Sequence, residues 1–442
     1  MDPINLLRDL VARARTAGAD AADAVLVAGT SISVQRRMGR TEHVERSEGR
    51  DLGLRVFLGQ RAAIVSSSRV EPSGFDTLVE RAIAMARVVP EDPYASLAET
   101  AAPPEALDLD LEDPAEPTTD ALLHRAAMAE EAAISVPGIT NSEGAEAGYG
   151  RAEMVLVTSA GFAGRHVGTS NSVSATALAG TGTDMQRDYD YHVTVHHEDL
   201  DDPATIGRSA GERAIARLNP IRPKTAKVPV IYDSRVAGGL LGHLAGAING
   251  SSVARGTTFL KDKLKARVFR AGIYVRDDAR RRRGLRSRVF DAEGVPTAPR
   301  ALIEDGILTT WLLDSSSARQ LGMTSTGHAV RGTGRPPSPA PSNLYMEAGE
   351  RTPAELMADI KEGLYVTELI GMGVNGVTGD YSRGAVGFVI RDGAIAEPVA
   401  EITIAGNLID MFSHLTPAND LRFRRGTDAP TIRIDGMTLA GR

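Results

Sequence analysis

Histidines and carboxylates carry the first chemistry this chain suggests. His192, His196 and His197 run directly into Glu198 and Asp199, the densest group of potential metal ligands. Imidazole and carboxylate are the groups that hold zinc where cysteine is missing. The run Tyr191-His-Val-Thr-Val-His-His is β-branched, however, and reads as a strand. On a strand, His192 and His196 share a face but stand about 13 Å apart at roughly 3.3 Å per residue. They cannot jointly reach one ion, so surface strand histidines are expected. His243 stands alone in a glycine-rich helical stretch, where a structural role is expected. No H-E-x-x-H occurs, because His197-Glu198 is followed by acidic residues without a second histidine. The residues themselves therefore imply neither a bound metal nor a cofactor.

Three further motifs carry weaker chemistry. Gly371-Met-Gly373-Val-Asn-Gly376 matches G-x-G-x-x-G literally, but a dinucleotide site needs a helix to follow, and here turns and a strand follow. Asp380-Tyr-Ser-Arg-Gly384 approaches G-x-S-x-G without its first glycine or its strand-to-helix elbow. An internal ion pair between Asp380 and Arg383 is the plainer expectation for that turn. Arg280 to Arg283 form the one basic cluster. With few aromatics around it and Asp277 and Asp278 adjoining, a solvated or partner-facing loop is expected rather than a nucleic-acid surface.

The elements that must position these residues read as an α+β chain. Leu6, Leu7, Leu10 and Val11 make an amphipathic first helix. Strand-like runs follow at 24–34, 40–46, 51–58 and 61–67, with Gly59-Gln60 as a hairpin turn. A helix over 72–88 completes a small N-terminal unit, residues 1–92. Residues 93–117 hold five prolines and an acidic cluster and read as a solvated linker. The middle unit, 118–224, repeats the order helix, strands, helix. Its helix over 118–135 is capped by Thr118 or Thr119. Strand-like runs follow at 139–147, 152–159, 165–178 and 188–197, and then a helix from about Pro203 to Leu218. The remainder, 225–442, reads as a strand-rich domain with a short helix over 353–364 and paired strands turning at Asp305-Gly306. It opens on a buried strand, 228–232, and a helix for which Ser234 is the expected cap. In that helix Val236, Leu240, Leu244 and Ile248 form one apolar stripe. Gly238, Gly239, Gly242 and Gly246 each cost it about 1 kcal/mol against Ala, which suggests close approach of backbone to backbone.

Composition narrows the classes. With 50 basic and 57 acidic residues the net charge is −7, which disfavours a general nucleic-acid binder. There is no cysteine, which excludes disulfides and thiolate chemistry and fits a reducing compartment. The first residues lack a signal-peptide core, and no run approaches the roughly 18 apolar residues that cross a bilayer. A cytoplasmic protein without a membrane partner is expected.

The segments Gly376-Val-Thr-Gly-Asp-Tyr-Ser-Arg-Gly-Ala-Val-Gly-Phe388 and Pro398-Val-Ala-Glu-Ile-Thr-Ile-Ala-Gly-Asn-Leu-Ile-Asp-Met411 resemble the TldD/PmbA family. Leu240-Leu-Gly-His-Leu-Ala-Gly-Ala-Ile-Asn-Gly-Ser-Ser-Val253 is similar to its PmbA branch, also called TldE. The resemblance implies a two-subunit metallopeptidase acting on unfolded and leader peptides. It also implies that TldD-type chains carry H-E-x-x-x-H on the helix just described. Placed here, those positions fall on Leu241, Gly242 and Gly246, and a cysteine ligand falls within 423–427, where none exists. The resemblance thus implies a non-catalytic subunit, without metal, paired with a TldD-like partner, or self-paired as a homodimer when alone. Gly379, Asp380, Tyr381, Ser382, Arg383 and Gly384 become candidates for gripping an extended peptide, by strand addition around 376–388. Two alternatives stand beside this one: a regulator of DNA gyrase, after an older family name, and a self-sufficient hydrolase using His192, His196 or Ser382.

Overall fold

The computed structural model describes residues 2–100 and 105–442; Pro103 and Pro104 of the expected linker lie outside the described residues. Helix α1 (Pro3–Thr16) is capped by Asp2, whose carboxylate accepts from the Asn5 amide at 3.1 Å. Strands β1 (Ala21–Arg37), β2 (Arg40–Leu58) and β3 (Arg61–Ser67) and helix α2 (Phe75–Val88) follow. The middle of the chain repeats that order with α3 (Thr119–Ile134), β4 (Ile139–Thr158), β5 (Ala163–Ala179), β6 (Gln186–Thr194) and α4 (Pro203–Ala216). Thr118 caps α3 by accepting from the Ala121 amide.

The six strands join in one sheet of order β3-β2-β1-β4-β5-β6, so the two halves meet where β1 runs antiparallel to β4. Alternation along β1 assigns its faces. Ala22, Ala24 and Leu26 pack under α1 and α2, while Ile32 and Val34 pack under α3. All four helices therefore cover one face. The opposite face turns Val25 toward Phe290 of the C-terminal part, and Asp23 toward Arg331.

Two strands are longer than their patterns predict. The runs expected at 40–46 and 51–58 are one strand, as are those at 139–147 and 152–159. Residues 40–51 of β2 are exposed throughout, so no buried face carries the alternation across 47–50, and one strand reads as two runs. Among the described residues their outer side pairs with no strand, because β3 covers only Leu52 to Leu58. The charges along this edge are the usual protection against unwanted pairing.

The C-terminal part begins with β7 (Ala226–Tyr232), α5 (Ser234–Ala247) and α6 (Gly250–Ala254). Short elements follow: β8 (Val275–Asp277), β9 (Arg300–Glu304), β10 (Ile307–Leu308), α7 (Ser315–Gln320), β11 (Ala329–Val330), β12 (Ser338–Pro339) and β13 (Leu344–Met346). The expected turn at Asp305-Gly306 joins β9 to β10, both residues having positive φ. Helix α8 (Pro353–Met357) stops short of the expected 364, because β14 (Glu362–Ile370) already holds Leu364 against β7. Then come β15 (Asp380–Arg391), β16 (Ala394–Asn407), α9 (Leu408–Ser413), β17 (Leu415–Pro417), β18 (Thr427–Asp428) and β19 (Ile432–Ala440). The main sheet has the order β16-β15-β14-β7-β19-β17, and a further β16–β19 pairing closes five strands into a ring. Helix and strand contents together make the chain α+β.

The acidic linker is not simply solvated. Leu109 and Asp113 are buried, and the Asp113 carboxylate accepts from the His197 amide at 2.8 Å. The basic cluster is its counterpart rather than a free loop: Arg280 pairs with Glu105, Arg282 with Asp108 and Asp110, and Arg283 with Asp110, Glu198 and Asp199. Charges distant in sequence neutralise each other, which sequence order alone does not reveal.

Candidate functional site

Helix α5 is positioned by the buried strand before it. Val230, Ile231 and Tyr232 are fully buried, and the chain turns into the helix at Asp233. Asp233, not Ser234, is the cap. Its carboxylate accepts from the Arg235 amide at 2.8 Å and from the Tyr365 hydroxyl at 2.9 Å. A charged acceptor at that end also complements the helix dipole. Ser234 is the first helical residue instead. Arg235 then reaches back to Asp188 of β6 at 2.8 Å, and Arg217, just past α4, pairs with the same carboxylate at 2.9 Å and with Glu368 of β14 at 2.5 Å. Pairing with Asp188 outweighs burial and raises the Arg235 guanidinium above its ordinary value. This buried junction joins middle and C-terminal elements beneath the start of α5.

The apolar stripe is as expected: Leu240, Leu244 and Ile248 are buried, with Val236 packed at the margin. The glycines divide differently from the expectation of close approach. A Cβ on Gly238 would lie 2.8 Å from the Thr427 carbonyl oxygen, so that glycine is needed for contact. Gly239, Gly242 and Gly246 would meet nothing within 4 Å. Gly242 and Gly246 instead wall a cavity of about 270 Å³ with His243, Phe259, Met372 and Leu408. Since their space is open, Gly242→Ala and Gly246→Ala should each stabilise the isolated chain by about 1 kcal/mol through helix propensity alone. Urea unfolding measures this, and a loss of stability would show the space to be occupied.

The three positions assigned to the zinc motif thus part company. Leu241 is in the core, only 1% exposed, while Gly242 and Gly246 face the cavity without any donor atom. His243 sets its ring edge-on to Tyr381, centroids 5.9 Å apart. Burial, and then Arg383, lower its pKa from the ordinary imidazole value. The segment Phe423 to Gly426 lines a different cavity, and its chain neighbour Thr427 meets α5 at Gly238 rather than at 241–246. Among the described residues no three His, Asp or Glu side chains gather as metal ligands. The residues present do not fit a zinc ion.

The other candidates can now be placed. His192 and His196 are buried, not surface, histidines. His192 Nδ1 accepts from the Asp201 amide at 3.0 Å, and His196 Nε2 lies 3.1 Å from the Asp110 carboxylate. Strand β6 ends at Thr194, so the two were never on one strand face; His197 alone is exposed. Ser382 is exposed on β15 with no histidine at hydrogen-bond distance among the described residues. The expected Asp380–Arg383 ion pair does not form. Asp380 accepts from Thr378 Oγ1 and Asn407 Nδ2, and Arg383 donates to the Ile370 carbonyl. Gly379 has φ +82°, and Gly384 packs beside Ile370. Tyr381 is buried, because alternation along β15 turns it inward while Asp380 and Ser382 face out. Strand addition at β15 is also closed: β16 lies along one side, and on the other β14 reaches Gly384 and the 373–375 segment bonds to Asp380 and Ser382. In the G-x-G-x-x-G stretch, a Cβ on Gly373 would lie 2.3 Å from the Ser382 carbonyl oxygen. That glycine serves backbone approach. Sequence reasoning missed His328, which lies buried with Asp277 at 3.2 Å and Thr326 at 2.8 Å as a closed polar network.

Three family models cover nearly the whole chain: PmbA/TldA metallopeptidase domain 1 over residues 22–86, its central domain over 112–218 and its C-terminal domain over 225–441. The chain belongs to the PmbA/TldD family. It is 38% identical over 426 residues to metalloprotease PmbA of Escherichia coli O157:H7, covering 96% of this chain and 92% of that one. A crystal structure of a putative modulator of DNA gyrase from Bacteroides thetaiotaomicron superposes with a TM-score of 0.90 at 26% identity, over 99% of this chain and 98% of the other. TldE of Thermococcus kodakarensis shares the fold, with a TM-score of 0.86 at 21% identity over 99% and 100% of the two chains. The protein is thus a PmbA/TldD-family, metallopeptidase-like chain. Among the described residues no helix is long and apolar enough to cross a membrane.

Proposed function

We propose that this PmbA/TldD-family chain is the non-catalytic, cytoplasmic subunit of a two-chain metallopeptidase. It works with a TldD-like subunit that carries the zinc and cleaves unfolded or leader peptides. One observation carries the reading: α5 offers a buried leucine and two side-chain-free glycines at 241, 242 and 246, in a chain without cysteine. A zinc hydrolase needs three protein ligands and a base, and these positions supply none. The chain's contribution is then to complete a compartment and hold an extended peptide. The exposed Asp380 and Ser382, with Arg383 between Gly379 and Gly384, offer polar contacts. The glycine-walled cavity beside the exposed Met372 takes apolar side chains. Peptide contact here runs through side chains, β15 being paired on both edges.

The test is metal analysis and casein cleavage by the purified chain, alone and with a TldD-like subunit. Alone it should hold no stoichiometric zinc and cleave nothing; with the partner, activity should appear. One tightly held zinc and cleavage by the chain alone would overturn the proposal. The self-sufficient alternative loses support from the burial of His192 and His196 and from the absence of a histidine beside Ser382.

A further inference from the structure

A second cavity, of about 220 Å³, lies between β6, residues 281–285 and residues 423–428. Five arginines line it: 281, 282, 283, 424 and 425. Three are matched by acids. Arg282 pairs with Asp108 and Asp110, Arg283 with Asp110, Glu198 and Asp199, and Arg424 with Asp201. Arg281 and Arg425 have no carboxylate within ion-pair distance among the described residues. Each rests instead on an aromatic ring: Arg281 is 3.2 Å from the Phe423 centroid and Arg425 is 4.9 Å from that of Tyr191.

The acid nearest to them is already spent. Asp428 accepts from the backbone amides of Arg424, Arg425 and Gly426 at 2.9, 3.0 and 3.2 Å. Arg425 gives one N–H to the Arg235 carbonyl at 2.7 Å, and its Nε is buried without a partner. Burial lowers the Arg281 guanidinium from its ordinary value, as expected for a cation lacking a counter-ion. Planar guanidinium forks with free donors match the two oxygens of a carboxylate or phosphate, and partly desolvated positive charge gains most from such a partner.

We propose that this cavity binds a small oxyanion, a carboxylate or phosphate group, between Arg281 and Arg425. The rings of Phe423 and Tyr191 hold the two guanidiniums ready, while Arg282, Arg283 and Arg424 are neutralised by their own acids and leave these two, among the described residues, as the free cations of the cavity. The site does not depend on the non-catalytic reading, because it uses none of residues 241, 242 and 246.

Isothermal titration of the full chain at low ionic strength tests it with three probes: inorganic phosphate, tetra-alanine with a free C-terminus, and its C-terminal amide. Saturable one-site binding of phosphate alone identifies phosphate as the ligand. Binding of the free-acid peptide but not its amide identifies a peptide terminus. Either result supports the site provided that R281Q and R425Q each weaken it at least tenfold, while R222Q, a remote surface arginine, leaves it unchanged. Arg281 makes no side-chain hydrogen bond to the fold among the described residues, so R281Q carries the test if R425Q lowers the urea midpoint. No saturable binding of phosphate or free-acid peptide, or binding indifferent to R281Q, overturns the proposal.

Discussion

Asp23→Ala is expected to cost the folded chain about 3–5 kcal/mol, the loss typical of breaking a buried ion pair from one side. Asp23 lies on β1, 1% exposed, and its two oxygens are divided between two arginines. Arg55 of β2 donates through Nε at 2.9 Å, and Arg331, just after β11, donates through Nη1 at 2.6 Å. These residues sit on the sheet face that meets the C-terminal part, so the triad ties the two together. Removing the carboxylate leaves two buried guanidiniums facing each other. The urea midpoint, at unchanged slope, measures the loss. Replacing all three residues with Leu should recover most of it, because apolar packing commonly matches a buried ion cluster. A loss under about 1 kcal/mol for the Ala variant would mean that water reaches the triad.

The same carboxylate sets a pH dependence. Burial by itself would raise Asp23, but Arg331 and then Arg55 outweigh it and hold it below the usual carboxylate range. With the folded-state value depressed, the unfolded chain takes up the proton first as pH falls. The stabilisation is therefore whole above about pH 3.9, the ordinary aspartate value, and is lost as pH falls below it. Unfolding at a series of pH values should show a shallower acid limb for Asp23→Ala than for the native chain.

Local features of this fold were legible in the sequence, and long-range ones were not. The turns at Gly59-Gln60 and Asp305-Gly306, the Thr118 cap and the stripe through Leu240, Leu244 and Ile248 each depend on residues a few positions apart. They stand where pattern puts them. The cap of α5 was misplaced by one residue because Asp233 and Ser234 both suit the position, and only geometry selects the carboxylate. The Asp23–Arg331 pair joins residues 308 positions apart, and nothing in either neighbourhood announces it. Likewise, Arg280 to Arg283 read as a free basic patch until the linker acids are found folded over them. His192 and His196 read as surface residues because the β-branched run suggests one long exposed strand, whereas the Asp201 segment covers His192 on β6, and past Thr194 the chain turns His196 inward. Of the candidate site, positions 241, 242 and 246 are singled out only by resemblance, and nothing in the sequence marks the cavity that Gly242 and Gly246 wall. A glycine in a helix says that something is missing, not whether the gap is filled by backbone or left open.

Gly207→Ala should show the filled case, with a net loss of at least about 2 kcal/mol: overpacking of about 3 kcal/mol, offset by about 1 kcal/mol of helix propensity. A Cβ on Gly207 of α4 would stand 1.8 Å from the Ala129 carbonyl oxygen of α3, and one on Gly211 would stand 2.9 Å from that of Ala133. Ala129 and Ala133 are themselves fully or almost fully buried, so the two helices meet backbone to backbone along four small residues. Neither carbonyl can swing aside as a flexible side chain would, and the helices must part. Urea unfolding should therefore move in opposite directions for Gly207→Ala and Gly242→Ala, though the two substitutions are chemically identical and both lie inside helices. A gain at Gly207 would show that α3 and α4 are further apart than the structure has them. The loss would also reach α5. Arg217, directly after α4, holds Asp188 and Glu368, and Asp188 in turn holds Arg235. Moving α4 outward draws Arg217 away from that junction and loosens the start of the helix that carries Leu241, Gly242 and Gly246.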